Sequence, residues 1–309
     1  MDEKQSRKDT ETAGWLDADG NFTQRLQEQR ERPDWPWYHT LYPDLDPVRD
    51  KTKFTVLNYR LIDDLFARVA LKDIPAVQLI LRIILKMPDL RVISVKVQEL
   101  LENGVNRSLW LDALAEDDTG RRFNVEVQNG KEGFSPRRMR HHASMMDATL
   151  LEKGGDWQKL PDTYVIFIID KDYPGSGLPL YEYEVLPRGH DVKMDFGLHF
   201  LVVNGEWRGE DALGWLMADM HEPNPMKMHY PVLARRCLDL KTDDKEVVQM
   251  CDAVQKLVDE SVDESKEGIA INLLKEKAAP ELVSRATGLS MARVLELQAG
   301  LQEEADGTK

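Results

Sequence analysis

An α/β layered domain is predicted for the middle of this 309-residue chain, on three observations. The stretch FNVEVQ, Phe123 to Gln128, alternates apolar and polar side chains with period two, the pattern of a strand. The stretch TYVIFIID, from Thr163, is almost wholly apolar, which suits a strand buried on both faces. Between them, from about Pro136 to Lys153, Met139, Ala143, Met146 and Leu150 recur along one side of a helix. Strands alternating with helices build layers around a sheet.

Residues 1–50 are polar and rich in Pro and Trp. Pro33, Pro36, Pro43 and Pro47 forbid a long regular helix there, and an extended arm packing a few aromatics is expected. From Asn58, Leu61, Ile62, Leu65, Phe66 and Val69 recur at helical spacing, and a second apolar helix runs from Pro75 until Pro88. Two strands, Leu109 to Ala115 and Phe123 to Gln128, flank the turn-rich EDDTGR. After the helix and the buried strand come two further strand candidates, YEYEV and LHFLVV. From about Asp243 the chain reads helical and charged. The domain expectation is therefore an arm over 1–50, an α/β domain over 51–240 and a helical region over 241–309.

No run of 18 apolar residues occurs, so no membrane span is expected, and the first residues lack the apolar stretch of a signal peptide. Two cysteines, Cys237 and Cys251, imply no disulfide framework and fit a reducing, cytoplasmic setting. The formal net charge of −14 argues against a large surface coated by nucleic acid. The deficit is uneven: residues 241–309 hold 15 Asp/Glu against 9 Lys/Arg. A body that grips only a few phosphates can still carry a local basic patch.

The alternation of FNVEVQ sends Phe123, Val125 and Val127 to one face and Asn124, Glu126 and Gln128 to the other. A solvated sheet face is one reading of that polar side; a metal-dependent site is the other. A three-residue loop, Asp118-Thr119-Gly120, would put glycine at the left-handed last position that such loops favour. Asp117 then faces Arg121, and Asp112 falls directly across from Glu126. Directly opposed residues share a face, with Cβ atoms roughly 4.5–5.5 Å apart. Two carboxylates so close resist joint ionisation. A divalent cation between them reverses that repulsion, and oxygen-only ligands select Mg²⁺ or Mn²⁺. A slightly different register, with one carboxylate turned to water, is the structural alternative.

The D-x13-E-x-Q arrangement of Asp112, Glu126 and Gln128 resembles the PD-(D/E)XK nuclease superfamily. More narrowly it resembles the PD-(D/E)XK nuclease family transposases, relatives of the recombination-promoting nucleases. The flanking segments carry the likeness further: LIDDLFARV is similar to that family's first helix, RSLWLDALAEDDTGRRFNVEVQ to its hairpin, and SPRRMRHHASMMDATLLEKGGDWQKLPDTYVIFI to the helix and strand that follow. LGWLMADMHEPNPMKMHYPVLARR and EGIAINLLKEKAAPELVSRATGLSMARVLEL also have its look. The resemblance implies a restriction-endonuclease-like core, a mixed sheet flanked by helices, with an α-helical C-terminal region. It implies metal-dependent hydrolysis of DNA phosphodiester bonds. Carried onto this chain, Asp112 and Glu126 are metal ligands, aided by Asp64 and the Val127 carbonyl. Gln128 stands where the wider superfamily often has lysine. A glutamine amide is no general base, but it can orient a water or a phosphate oxygen.

The helix after the hairpin opens with Arg137, Arg138, Arg140, His141 and His142, the densest positive cluster in the chain. Arg137, Arg140, His141 and Ser144 share the face opposite Met139 and Met146. Guanidinium groups there are suited to clamping DNA phosphates; a solvated helix face is the plainer reading. The family often has Tyr-Tyr where this chain has His141-His142. Residues 280–298 resemble a helix-turn-helix, with Gly288 at the break and Ser290 as N-cap. With one arginine, Arg293, that second helix is thin for reading bases; packing or homodimerisation suits it equally. A rival to the nuclease is a non-catalytic DNA- or protein-binding scaffold of the same fold, and a weaker third reading is a regulator acting through residues 280–298.

Overall fold

The computed structural model describes residues 36–101, 109–130, 134–150, 156–184 and 195–306. Two compact units divide the chain, Met1–Met250 and Cys251–Lys309. Most of the expected N-terminal arm, residues 1–35, lies outside the described residues. Over the rest of it only a four-residue helix forms, α1 (Tyr38–Leu41).

Helices α2 (Lys51–Asn58), α3 (Asp64–Ala70) and α4 (Ile74–Leu85) precede the sheet. The run of apolar residues from Leu61 is not one helix, because Asp63 breaks it. The Asp63 carboxylate accepts the Arg60 amide at 2.8 Å and its guanidinium at 2.8 Å, a local turn that competes with helical bonding. Leu61 and Ile62 are buried in that turn, and the Ile62 amide donates to Met220 O at 2.9 Å. Asp73 caps α4 by accepting from the Ala76 amide, and Lys86 closes it in the left-handed region.

Six strands form one mixed sheet in the order β1-β2-β3-β4-β6-β5: β1 (Val92–Leu101), β2 (Leu109–Asp117), β3 (Arg122–Gln128), β4 (Thr163–Ile169), β5 (Leu180–Tyr183) and β6 (Leu198–Asn204). The first three pair antiparallel, β3, β4 and β6 run parallel, and β5 closes the edge antiparallel to β6. Helix α5 (Pro136–Leu150) connects the parallel neighbours β3 and β4. β4 is buried at every position, as its composition requires. Strand β1 was not among the expected strands, although VISVKV alternates; a register shift between Val92 and Ser94 interrupts its period.

The β2–β3 turn has the anticipated form. The Asp117 amide donates to Arg121 O at 3.2 Å, and Gly120 sits at φ +87° with open space around its missing Cβ. Gly120→Ala should therefore cost about 1 kcal/mol through backbone strain alone, read as a lower urea midpoint with an unchanged m-value. Asp117, fully buried, accepts from the Thr119 and Arg121 amides and pairs with the Arg121 guanidinium, so it serves the turn.

Beyond the sheet lie α6 (Ala212–His221), α7 (Pro231–Thr242) and the long α8 (Asp244–Lys275). In the second unit, the end of α8 joins α9 (Pro280–Thr287) and α10 (Met291–Asp306) around Ala270, Leu274, Val283 and Val294. Gly288 at φ +74° makes the break between α9 and α10, and Ser290 accepts the Arg293 amide at 3.3 Å.

Candidate active site

Pairing between β2 and β3 aligns Ala113 with Val125 and Leu114 with Asn124. One residue beyond the Ala113–Val125 pair stand Asp112 and Glu126, the register that the three-residue loop requires. Their side chains meet on one face. The Asp112 amide donates to Glu126 Oε1 at 3.0 Å, and the Val127 amide donates to Asp112 Oδ2 at 3.2 Å. Each carboxylate thus accepts a main-chain amide from the neighbouring strand.

That polar face is not solvated. Across the β3–β4 ladder Asn124, Glu126 and Gln128 lie beside Val165, Phe167 and Ile169, which pack beneath α5 together with Met139, Ala143 and Met146. Glu126 is 0% exposed, Asp112 5% and Gln128 9%. A half-buried strand was the expectation from alternation; the strand is buried on both sides because α5 covers the polar one.

Burial governs the electrostatics. It pushes the Asp112 carboxyl up to about 6, with the charge of Asp64 adding to the shift and Arg68, the Val127 amide and Arg138 opposing it. Burial, then the neighbouring Asp112, pushes Glu126 up to about 8 against the Asn124 bond, the Asp112 amide and Arg138. Two arginines answer this concentration of negative charge. Arg68 Nε lies 3.2 Å from Asp112 Oδ1 and also donates to Asp64 Oδ1 at 3.0 Å. Arg138 Nη2 donates to Glu126 Oε2 at 3.2 Å, and its Nη1 to Gln128 Oε1 at 3.0 Å.

A closed ring of hydrogen bonds holds Glu126. Arg138 has no acceptor, so its Nε–H must donate to His142 Nε2, at 3.3 Å. That leaves the histidine proton on Nδ1, which donates to Asn124 Oδ1 at 2.9 Å. Asn124 Nδ2 then donates to Glu126 Oε1 at 2.8 Å. Burial draws the His142 pKa down to about 3, aided by the positive charge of Arg138, so the ring is neutral at His142. The Phe167 ring packs edge-on against His142.

The remaining candidates separate. Arg137, Arg140 and His141 lie exposed on the outer face of α5, while Arg138 turns inward to the carboxylates. Asp64 opens α3 but is held by Arg68 at 2.7 Å, so it is joined to Asp112 through a guanidinium. Among the described residues no group of three or more His, Cys, Asp or Glu is gathered so that it could hold a metal ion. Arg68 and Asn124 have no expected role in the sequence, and His142 stands there only in the basic cluster, as half of a histidine pair suited to proton transfer or to polar filling. Two of them had a signal: Arg68 is four residues after Asp64, and His142 four after Arg138, the spacing of helical neighbours.

This mixed sheet with flanking helices is consistent with a restriction-endonuclease-like fold of PD-(D/E)XK type. Residues 66–203 match the family model of the PD-(D/E)XK nuclease family transposases, from α3 to β6. The resemblance carried by the hairpin and its neighbours therefore holds over that span. No curated protein and no solved structure matches the chain. Among the described residues no helix is long and apolar enough to cross a membrane.

Proposed function

We propose that this protein is a divalent-metal-dependent DNA endonuclease. The observation that carries the reading is the buried pair: two carboxylates, 5% and 0% exposed, side by side on one face of the sheet. As structure alone it is costly, since like charges in a buried site oppose each other. The donor set fits a hard cation. Mg²⁺ commonly takes one or two carboxylates and completes its shell with water and phosphate oxygens, so a third protein carboxylate is not required.

Asp112 and Glu126 would hold Mg²⁺ or Mn²⁺, and Asp64 would join them only by leaving Arg68. When bound, the ion supplies a Lewis acid and a more acidic water for phosphodiester hydrolysis. The residues of the chain do the positioning. The main-chain amides at Asp112 and Val127 fix one oxygen of each carboxylate, which pre-sets their spacing. Gln128, whose Oε1 accepts from Arg138, turns its amide nitrogen to donor work, suited to a phosphate oxygen. Arg137, Arg140 and His141, exposed along α5, offer a cationic edge for the DNA backbone. A cytoplasmic setting and a homodimer remain compatible proposals, and the α9–α10 turn is suited more to packing than to base reading, because Arg293 is already paired with Glu267 and Glu296.

The test is plasmid nicking with Mg²⁺ or Mn²⁺, compared with EDTA and with Asp112→Ala/Glu126→Ala. Wild-type protein should nick or linearise only with the metal, and the double variant should lose the activity about 100-fold or more. Equal signal from the variant would reject the assignment. One observation favours a non-catalytic scaffold instead: Arg68 and Arg138 already neutralise the pair. That reading requires no Mn²⁺ affinity in calorimetry, so titratable binding lost in Asp112→Ala counts against it.

A further inference from the structure

We propose that Arg138 is a placeholder for the metal, whose transfer to a DNA phosphate opens Glu126 to the ion. The inference rests on the nuclease reading above and concerns how that site is loaded. Glu126 is wholly enclosed, and its Oε2 is held at 3.2 Å by a guanidinium. A cation bonded to that oxygen competes directly with a second cation for the same lone pairs. The guanidinium itself is not enclosed: 36% of the Arg138 side chain is exposed, against 0% for Glu126. It therefore spans from the buried carboxylate to the surface of α5, where Arg137 and Arg140 stand on either side of it in sequence, both exposed. A nucleic-acid backbone drawn to those two arginines would present phosphate oxygens to the third. Arginine binds phosphate through the same fork that it offers a carboxylate.

The exchange involves no covalent step. Arg138 gives up its ion pair with Glu126 and its hydrogen bonds to Gln128 Oε1 and His142 Nε2 for phosphate, the vacated Glu126 oxygen would be free to hold a divalent ion, and net charge in the pocket would rise by one. His142 and Asn124 do not need to move: the Asn124 bond keeps Glu126 Oε1 in place throughout. Metal and DNA then bind with positive cooperativity, because each removes a competitor of the other, and linkage makes the effect reciprocal. A merely structural Arg138 has the opposite signature, since losing it would loosen the carboxylates and weaken the metal.

The test is calorimetric titration of Mg²⁺ into the full chain and Arg138→Met at pH 8.5, where protons compete least for the carboxylates, together with binding of a short duplex in EDTA. Removing one positive charge beside the site should tighten Mg²⁺ by about tenfold or more. The same variant should bind the duplex more weakly and nick plasmid more slowly. Asp112→Ala serves as the base line, without Mg²⁺ binding. Equal or weaker Mg²⁺ affinity in a folded Arg138→Met overturns the placeholder role while leaving the metal site standing. Absence of Mg²⁺ binding in both wild type and Arg138→Met overturns the metal reading, and this inference with it. As a second variant, Arg138→Lys retains the charge and should keep the weaker, wild-type-like affinity; tightening in that variant also counts against the proposal.

Discussion

Lys241→Met is expected to destabilise the first unit by roughly 2–5 kcal/mol, the sum of several buried acceptors left unsatisfied and partly offset by removal of a buried charge. Lys241 is 1% exposed on α7. Its ammonium donates to Leu57 O at 2.9 Å, Tyr59 O at 2.8 Å and Pro223 O at 2.5 Å. Three acceptors match the three N–H bonds of a charged lysine. The rings of Trp37 and Phe66 lie 5.2 Å away and add cation–π attraction. Methionine fills much the same volume and accepts the apolar surroundings, but it leaves three carbonyls without a donor. Those carbonyls belong to the end of α2, the turn before α3 and the chain after α6, so one side chain ties the segment that presents Asp64 and Arg68 to the body.

Burial draws the Lys241 pKa down to about 8 from its solution value. Between about pH 8 and 10.5 the folded chain then binds fewer protons than the unfolded one, so the cost of burying this charge is relieved as pH rises through that window. The methionine variant should lack that upward slope. Urea unfolding at pH 7 and at pH 9.5 measures both effects; a stability within 0.5 kcal/mol of wild type at pH 7 would contradict the role, since that is the range of inert surface changes.

The hairpin was legible because its determinants are local. Gly120 settles the loop length, loop length settles register, and register places Asp112 across from Glu126 within 15 residues of chain. The buried β4 was legible for a related reason, since a run such as YVIFII has no polar face to show to water. What stayed hidden depends on contacts that composition does not encode. Asn124 reads as an ordinary polar partner of an alternating strand until α5 is laid over it. Arg138 reads as one more charge in a basic run, and only the rotation of α5 separates it from Arg137 and Arg140. Likewise the break at Asp63 is a contest between a local carboxylate turn and an apolar helical period, and the sequence displays both competitors without their energies. Lys241 is the furthest from recognition: its acceptors are main-chain carbonyls from two distant segments, which carry no residue identity at all.

Asp112→Asn should separate stability from activity in opposite directions. The substitution keeps an oxygen for the Val127 amide, and Arg68 keeps its second carboxylate on Asp64. What it removes is one of two buried negative charges. In the metal-free wild type, Asp112 and Glu126 titrate near 6 and 8, above their solution values. The folded chain therefore binds more protons than the unfolded chain between about pH 4 and 8, and stability is expected to fall as pH rises across that window. With asparagine at 112, one of the two titrations disappears and the repulsion on Glu126 goes with it. The variant should lose stability less steeply with pH, and at pH 8 without metal it should exceed wild type by roughly 1–3 kcal/mol, a rise of several degrees in melting temperature. Adding Mg²⁺ should reverse the order, because only wild type gains the binding energy of the ion. Plasmid cleavage should fall about 100-fold or more in the same protein, since a neutral amide is a poor ligand for a hard cation. A metal-free melting curve at pH 8 that is lower for Asp112→Asn than for wild type would mean that the two carboxylates do not repel each other in the folded chain. The reason for placing a cation between them would then be gone.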